Sequence, residues 1–475
     1  MGERGKHRRI GQVANLKHRY APAWRWTAVF AALSLSSWLS VTSWSVPGAD
    51  AADASVSRAP AGTFQLAAPA PTEASPPPVV APAVVAPAVD PLEREIPEIE
   101  ALMSRALRSG KTPGAVIVVG RRDGVVFKRA YGRRAVIPER QEMTLDTIFD
   151  LASLTKPLVV GALTQWLVET GQLRIEDRAA AYLPDFGVRG KQDLTIEQLL
   201  LHISGLPPTN PLREYKKGAE QARALALGAW LFHMPGRHFM YSDLGYIALG
   251  ELIEQVTGER LDKTAERVLW KPLAMTDTQY CPTMCDDPRV APTELGYGWK
   301  RSPIRGEVHD PRAYRLGGVA GNAGLFSTAD DVARFARMLL GEGQLDGVRV
   351  LEPASVRRFI QPRPVPDGLR ALGWDVSSGF SAPRGKELSE HAFGHGGYTG
   401  TSLWIDPALD LFIVFLSNRN HPWGRGKVTD LQGEIADAAV RALIPGRAAP
   451  EPEMALHPVD SHGSSSAAEL QGGDG

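Results

Sequence analysis

The sequence predicts an α/β (α+β) fold, with an antiparallel sheet flanked by helices and a mostly helical subdomain inserted in the middle. Three observations carry this. Near the start of the globular part, "GAVIVVGRRDGVVFKRAYG" (114–132) holds two β-rich runs joined by Arg-Asp-Gly turn chemistry, the pattern of a hairpin. Near its end, "TSLWIDPALDLFIVFLSN" (401–418) holds two more strands around an Asp-Pro turn. Between them apolar residues recur at three- and four-residue spacing in "LTIEQLLLHISGLP" (194–207), "DLGYIALGELIEQVTG" (243–258) and "DDVARFARMLLGEG" (330–343). Gly258 and Gly341 stand where helix C-caps belong. Strands from both chain ends therefore build one sheet, and the helices fill the gap between them.

The chain has 475 residues, 43% hydrophobic and 22% charged, which suits a soluble globular protein with tails. Its 53 basic and 53 acidic residues balance, so no nucleic-acid surface is indicated. Lys6, Arg8, Arg9, Lys17, Arg19 and Arg25 precede an apolar run at 26–46 and the small residues 49–51. That order reads as an export signal, or as an uncleaved membrane anchor because the run is long. The protein is thus expected outside the cytoplasm, periplasmic or tethered to the membrane by its first 51 residues. Residues 52–90 are rich in Ala and Pro, an extended linker, since proline removes donors and blocks helix and sheet alike. Residues 91–445 form the globular domain, and 446–475 turn polar and Gly/Ser-rich, as disordered tails do. The only cysteines, Cys281 and Cys285, provide no disulfide framework; a bond between them after export would close too small a loop to stabilise much.

The chemistry concentrates in "FDLASLTKPLVVGALTQWLVETGQL" (149–173). Pro157 is tolerated only in a helix's first turn, so a helix begins close to Ser153. Ser153 then sits at the positive end of the helix dipole, where its own N–H is placed to bind an oxyanion. Lys156, one turn on, can reach the Ser153 hydroxyl, and a serine needs such a neighbouring base to act as nucleophile. Alone this Ser-x-x-Lys is weak. Further along come "PGRHFMYSDLGY" (235–246) and "FGHGGYTGTSLW" (393–404), in that order.

With these motifs the sequence resembles serine β-lactamases of the class C type and the related penicillin-binding proteins, DD-peptidases and esterases. Those carry Ser-x-x-Lys, then Tyr-x-Asn, then Lys-Thr-Gly or His-x-Gly. The matching stretches are Ser153-Leu154-Thr155-Lys156, Tyr241-Ser242-Asp243 and His395-Gly396-Gly397, supported by "LLLHISGLPP", "LGGVAGNAGLFSTADDVARF" and "LWIDPALDLFIVFLSNR". The resemblance covers essentially all of the globular region and implies a β-lactamase/transpeptidase-like fold. It also implies a serine hydrolase that attacks an ester or amide carbonyl and forms an acyl-Ser153 intermediate. Lys156 and Tyr241 would share the proton that Ser153 loses. The oxyanion would be held by the backbone N–H groups of Ser153 and Tyr398, with Gly396 and Gly397 letting that strand approach the substrate closely.

Two departures alter the expectation. Asp243 replaces the commoner Asn, exchanging an amide donor for a charged acceptor that can pair with Lys156. His395 replaces the Lys of Lys-Thr-Gly, and a mostly neutral imidazole holds a substrate carboxylate less firmly, which points toward an esterase, peptidase or amidase. Substrate contacts are thus expected from Tyr398, His395, Gly397 and Asp243. His309 and Asp310 in "GEVHDPRAYRLGG" either line the cleft or fix a loop. His391 and His395 have the spacing of a helical metal pair but lie in a Gly-rich stretch with no third ligand nearby, so no metal is expected and no cofactor is implied. The partner is a small molecule or a peptidoglycan-derived fragment acted on by a monomer. Cell-wall peptides or related small esters are the expected substrates. The alternatives are an N-acetylmuramoyl-peptide amidase of muropeptide salvage and a penicillin-binding sensor that deacylates slowly.

Overall fold

A computed structural model describes residues 95–280, 287–296, 302–379, 384–444 and 446. The basic and apolar N-terminal segment, the Ala/Pro-rich linker, both cysteines and nearly all of the C-terminal tail lie outside these residues. Among the described residues no helix is long and apolar enough to cross a membrane.

The main sheet has nine strands: β1 (Gly114–Arg121), β2 (Gly124–Ala135), β3 (Gln141–Glu142), β4 (Arg363–Val365), β5 (Gly368–Arg370), β6 (Asp375–Ser378), β7 (Phe393–Gly397), β8 (Thr401–Asp406) and β9 (Leu411–Ser417). Their order is β3-β2-β1-β9-β8-β7-β6-β5-β4, antiparallel throughout. The two hairpins expected from sequence are β1/β2 and β8/β9. They meet at the centre, where Ala115 pairs with Ser417 and Gly120 with Phe412. The second turn is fixed by Asp406, whose buried carboxylate accepts the Ala408 and Leu409 N–H groups, each at 3.1 Å.

Both faces of the central strands are covered, which is why β1 and β9 read as unbroken apolar runs. Ala115, Ile117 and Val119 face α1 (Pro97–Arg108) and the C-terminal helix α5 (Thr429–Leu443), while Val116 and Val118 join the larger core on the opposite side. Helix α1 has Ile99, Leu102, Met103 and Ala106 on its buried side, with Pro97 in its first turn.

Between β3 and β4 lies the insert. Its main helices are α2 (Ala162–Glu169), α3 (Asp243–Thr257) and α4 (Ala329–Leu340). Helix α3 ends at Gly258, whose φ of 66° provides the left-handed cap that an L side chain disfavours. Gly341 also follows its helix directly, but at φ −81°; the left-handed turn falls on Glu342 and Gly343 instead. The insert is less helical than its spacing predicts. The 194–207 stretch forms one short helix, Ile196–Leu200, opened by a Thr195/Gln198 capping box, and His202 at φ 59° then turns the chain away. A small sheet of Phe149–Asp150, Leu325–Ser327 and Gln279–Tyr280 also lies within it.

The β7–β8 hairpin touches this insert directly. The hydroxyls of Thr399 and Thr401 donate to the Asp150 and Leu151 carbonyls at 2.7 and 3.1 Å. At Gly397 a Cβ would come within 2.4 Å of the Leu151 oxygen and 2.1 Å of Thr401 Oγ1. Glycine is needed there for the close approach of two backbones. Gly397→Ala should therefore lower stability by about 1–3 kcal/mol in urea unfolding; an unchanged midpoint would mean the two segments are free to part.

Candidate active site

The site begins with a forced turn. Asp150 ends a short strand with both carboxylate oxygens buried: Oδ1 accepts from Ala152 N at 2.8 Å and Oδ2 from His309 N at 2.7 Å. Ala152 adopts φ 47°, uncommon for a residue with a Cβ, and the Asp150 bond helps to hold it there. Leu151 N donates to Leu325 O at 2.9 Å, and Thr155 Oγ1 donates to Ala152 O while accepting from Leu325 N. Ser153 is the centre of the resulting tight turn, Ala152–Leu154. The chain continues through a wide turn at Lys156–Gly161, where Ala162 N reaches back to Pro157 O, before regular α2 starts. The helix does begin close to Ser153, as Pro157 requires, but through irregular turns.

Lys156 has no solvent exposure. Its Nζ lies 3.0 Å from Ser153 Oγ, 2.9 Å from the Asn322 carbonyl oxygen and 2.8 Å from Asp243 Oδ1. Tyr241 adds a further hydrogen bond. Burial pulls the ammonium toward losing its proton, but the Asp243 carboxylate and Tyr241 outweigh it and hold Lys156 above the ordinary lysine range. Burial likewise pushes the Asp243 carboxyl up, with Lys156 opposing. Asp243 is in the first turn of α3, where the helix dipole favours a carboxylate. The Asn322 carbonyl reaches Lys156 because Gly321 lies against α3: a Cβ there would stand 2.0 Å from Tyr246 O.

Tyr241 is held by a stack of rings. His202 lies 4.3 Å from Tyr241 and 4.9 Å from Tyr246, centroid to centroid. Its Nδ1 accepts from Ser242 N at 3.0 Å, so the neutral ring carries its proton on Nε2. Burial, with the charges of Arg370 and Lys156, holds His202 well below the ordinary histidine range. His395 on β7 is buried 5.9 Å from Tyr241 and is depressed for the same reasons, burial first and Arg370 next. It brings no charge to the site at neutral pH.

These groups open into a cavity of ≈ 570 Å³ that Ser153, Tyr241, Asp243, His395, Gly397 and Tyr398 all line. Tyr398, just past β7, stacks on His309 at 5.5 Å and lies under the Arg419 guanidinium. His309 and Asp310 line the cavity and fix loops as well. His309 Nε2 bonds Glu294 at 2.9 Å, and Asp310 Oδ1 accepts from Ala313 N and Asn322 Nδ2 at 2.8 and 3.0 Å. His391 is exposed on the surface, apart from the buried His395. Gly397 serves mainly the packing of β7 on Leu151.

The sequence reading did not single out Asp150, His202, Asn322 or Arg370. Asp150, His202 and Asn322 lie within quoted stretches, and a carboxylate just before Ser153 was a usable signal. Nothing local distinguishes Asn322, which acts through its backbone, or Arg370. Asp150→Asn replaces one acceptor with a donor facing a backbone N–H. It should cost about 1–3 kcal/mol in urea unfolding and slow phosphonylation of Ser153 by a fluorophosphonate; wild-type values on both would remove Asp150 from the support of the turn.

The β-lactamase family model matches residues 99–437. The chain is 32% identical over 362 residues to a Bacillus subtilis protein named "N-acetylmuramyl-L-alanine amidase", covering 69% of this chain and 82% of that one. It is 31% identical over 343 residues to an Escherichia coli K12 protein named "Putative D-alanyl-D-alanine carboxypeptidase", covering 65% and 79%. A crystal structure of a penicillin-binding protein homologue from Caulobacter crescentus shares the fold with a TM-score of 0.60 at 20% identity, over 73% of this chain and 97% of that one. Matched across most of its length, the chain belongs to the β-lactamase family of serine hydrolases.

Proposed function

We propose that this protein hydrolyses an ester or amide of cell-wall peptides, or a related small ester, through an acyl-Ser153 intermediate. The observation that carries the reading is Lys156 Nζ, buried and 3.0 Å from Ser153 Oγ at the edge of the cavity. Ser153 Oγ attacks the carbonyl carbon while its proton passes into the Lys156–Tyr241 pair. The negative oxygen that forms faces the backbone N–H groups of Ser153 and Tyr398. The pair's proton then goes to the leaving oxygen or nitrogen as its bond to carbon breaks, and water reverses the steps to free Ser153. The export-like segment at 26–46 agrees with a substrate from the wall. The named amidase relative favours a second, sharper reading in which the bond cut is the amide joining a muramoyl group to its peptide.

The test is intact-mass spectrometry with a fluorophosphonate alongside turnover of a chromogenic short-chain ester and an N-acetylmuramoyl-peptide. Wild type should take one adduct and turn over. Ser153→Ala should take none and lose about 10³-fold or more in rate. Release of the muramoyl-linked amino acid would select the amidase reading; an adduct without turnover would leave a sensor.

A second outcome concerns pH. The Lys156–Tyr241 pair must give up one proton before it can take that of Ser153, and Asp243 holds that proton on Lys156. In Asp243→Asn the rising limb of kcat/KM should move to lower pH by about one unit or more. An unmoved limb would separate Asp243 from the proton inventory.

A further inference from the structure

A second cavity, of ≈ 510 Å³, borders the one that holds Ser153, and the two meet at Arg419 and Gly426, which line both. Arg419 braces this junction. Its Nη1 donates to Gly426 O at 2.9 Å and its Nη2 to Tyr398 O, while the guanidinium lies 4.8 Å from the Tyr398 ring centroid. At the junction a Cβ on Gly426 would stand 2.2 Å from Arg419 O, so the two backbones are in close contact.

Trp423 lines the second cavity and is 62% exposed. An indole left in water forgoes one of the largest apolar burials a side chain can make. The loop that carries it is nonetheless fixed. His421 Nε2 accepts from Val136 N and its Nδ1–H donates to Thr293 O, both at 2.9 Å. Leu295 N donates to Pro422 O at 2.9 Å, and Gly424 N to Asn420 O at 2.6 Å. The ring is thus displayed at a set place. Around it the cavity is lined by the Glu142 carboxylate and the Arg133 and Arg425 guanidinium groups. Arg133 Nε and Glu142 Oε1 are 3.7 Å apart on solvent-facing side chains, which leaves both groups capacity for another partner. One flat apolar face edged by donors and acceptors matches a pyranose ring, which has a C–H face and a rim of hydroxyls that both donate and accept. A bare anion would meet the Glu142 charge, and a wholly apolar group would strip water from charged groups without replacing its hydrogen bonds.

We propose that this second cavity is a sugar-binding subsite in which Trp423 stacks on a pyranose ring. The substrate is then a sugar-bearing ester or amide, with its scissile carbonyl in one cavity and its sugar in the other. The assignment rests on the serine-hydrolase reading above and narrows its substrate class.

Two ligands that share one amide test it: N-acetylmuramoyl-L-alanyl-D-isoglutamine, and the D-lactoyl form of the same dipeptide, which lacks the sugar ring. Titration calorimetry on the full-length Ser153→Ala chain measures their binding without any bond being cut. The sugar-bearing ligand should bind about tenfold more tightly or better. Adding Trp423→Ala should bring the ratio of the two Kd values near unity, whereas Trp423→Tyr, which keeps a stacking face, should retain most of it. Equal Kd values, a preference that survives Trp423→Ala, or no binding of either ligand up to about 10 mM overturns the proposal. Should the alanine variant fail to fold, the ratios of the parent and of the tyrosine variant still decide. Failure of the hydrolase reading looks different: the sugar preference and its dependence on Trp423 would stand, while the chain with Ser153 intact would cut neither ligand nor a chromogenic ester.

Discussion

A buried ammonium must be answered by acceptors, and Lys156 draws its four from three separate parts of the chain. Ser153 is one turn away, Asp243 begins α3, Tyr241 precedes it, and Asn322 lies on a loop pressed against α3 at Gly321. An uncompensated buried charge costs several kcal/mol, so the pocket is complete only when these three segments of the insert have come together. The arrangement that makes the cation tolerable also aims it at the serine. Stability and chemistry depend here on one set of distances.

The rest of the site is held by the same economy of backbone contacts. Asp150 fixes the turn before Ser153 and the backbone at His309 with its two oxygens, and the β7–β8 hairpin is fastened to that segment by two threonine hydroxyls. His202 supports Tyr241 by stacking and by accepting the Ser242 N–H, so the tyrosine's place is set by a ring that never carries charge at neutral pH. Asp150, His202 and the two threonines thus find their partners on main chain, within a largely apolar interior.

Much of this was legible in the sequence, for identifiable reasons. The two hairpins were visible because β1 and β9 are buried on both sides and their turns carry Asp, Gly and Pro at telling places. The Ser153, Lys156, Tyr241 and His395 set was visible through motif order, and the pairing of Asp243 with Lys156 through simple charge. Strands β4 to β6 were not visible, being three or four residues long and interrupted by Gly and Pro, as in Pro364 and Gly368. The excess of predicted helix at 194–207 has a physical cause. His202 leaves the helical path to reach Tyr241, a tertiary demand that periodicity cannot express.

The pairing of β1 with β9 has a consequence for how the molecule comes into being. The strands at the centre of the sheet stand about 300 residues apart in the chain, so closing them carries the entropy of a very long loop. The two central strands cannot find each other until nearly the whole domain has been made. Until then β1, an apolar run needing cover on both faces, exposes an unsatisfied edge. A truncation at either end would therefore remove the middle of the sheet rather than its margin.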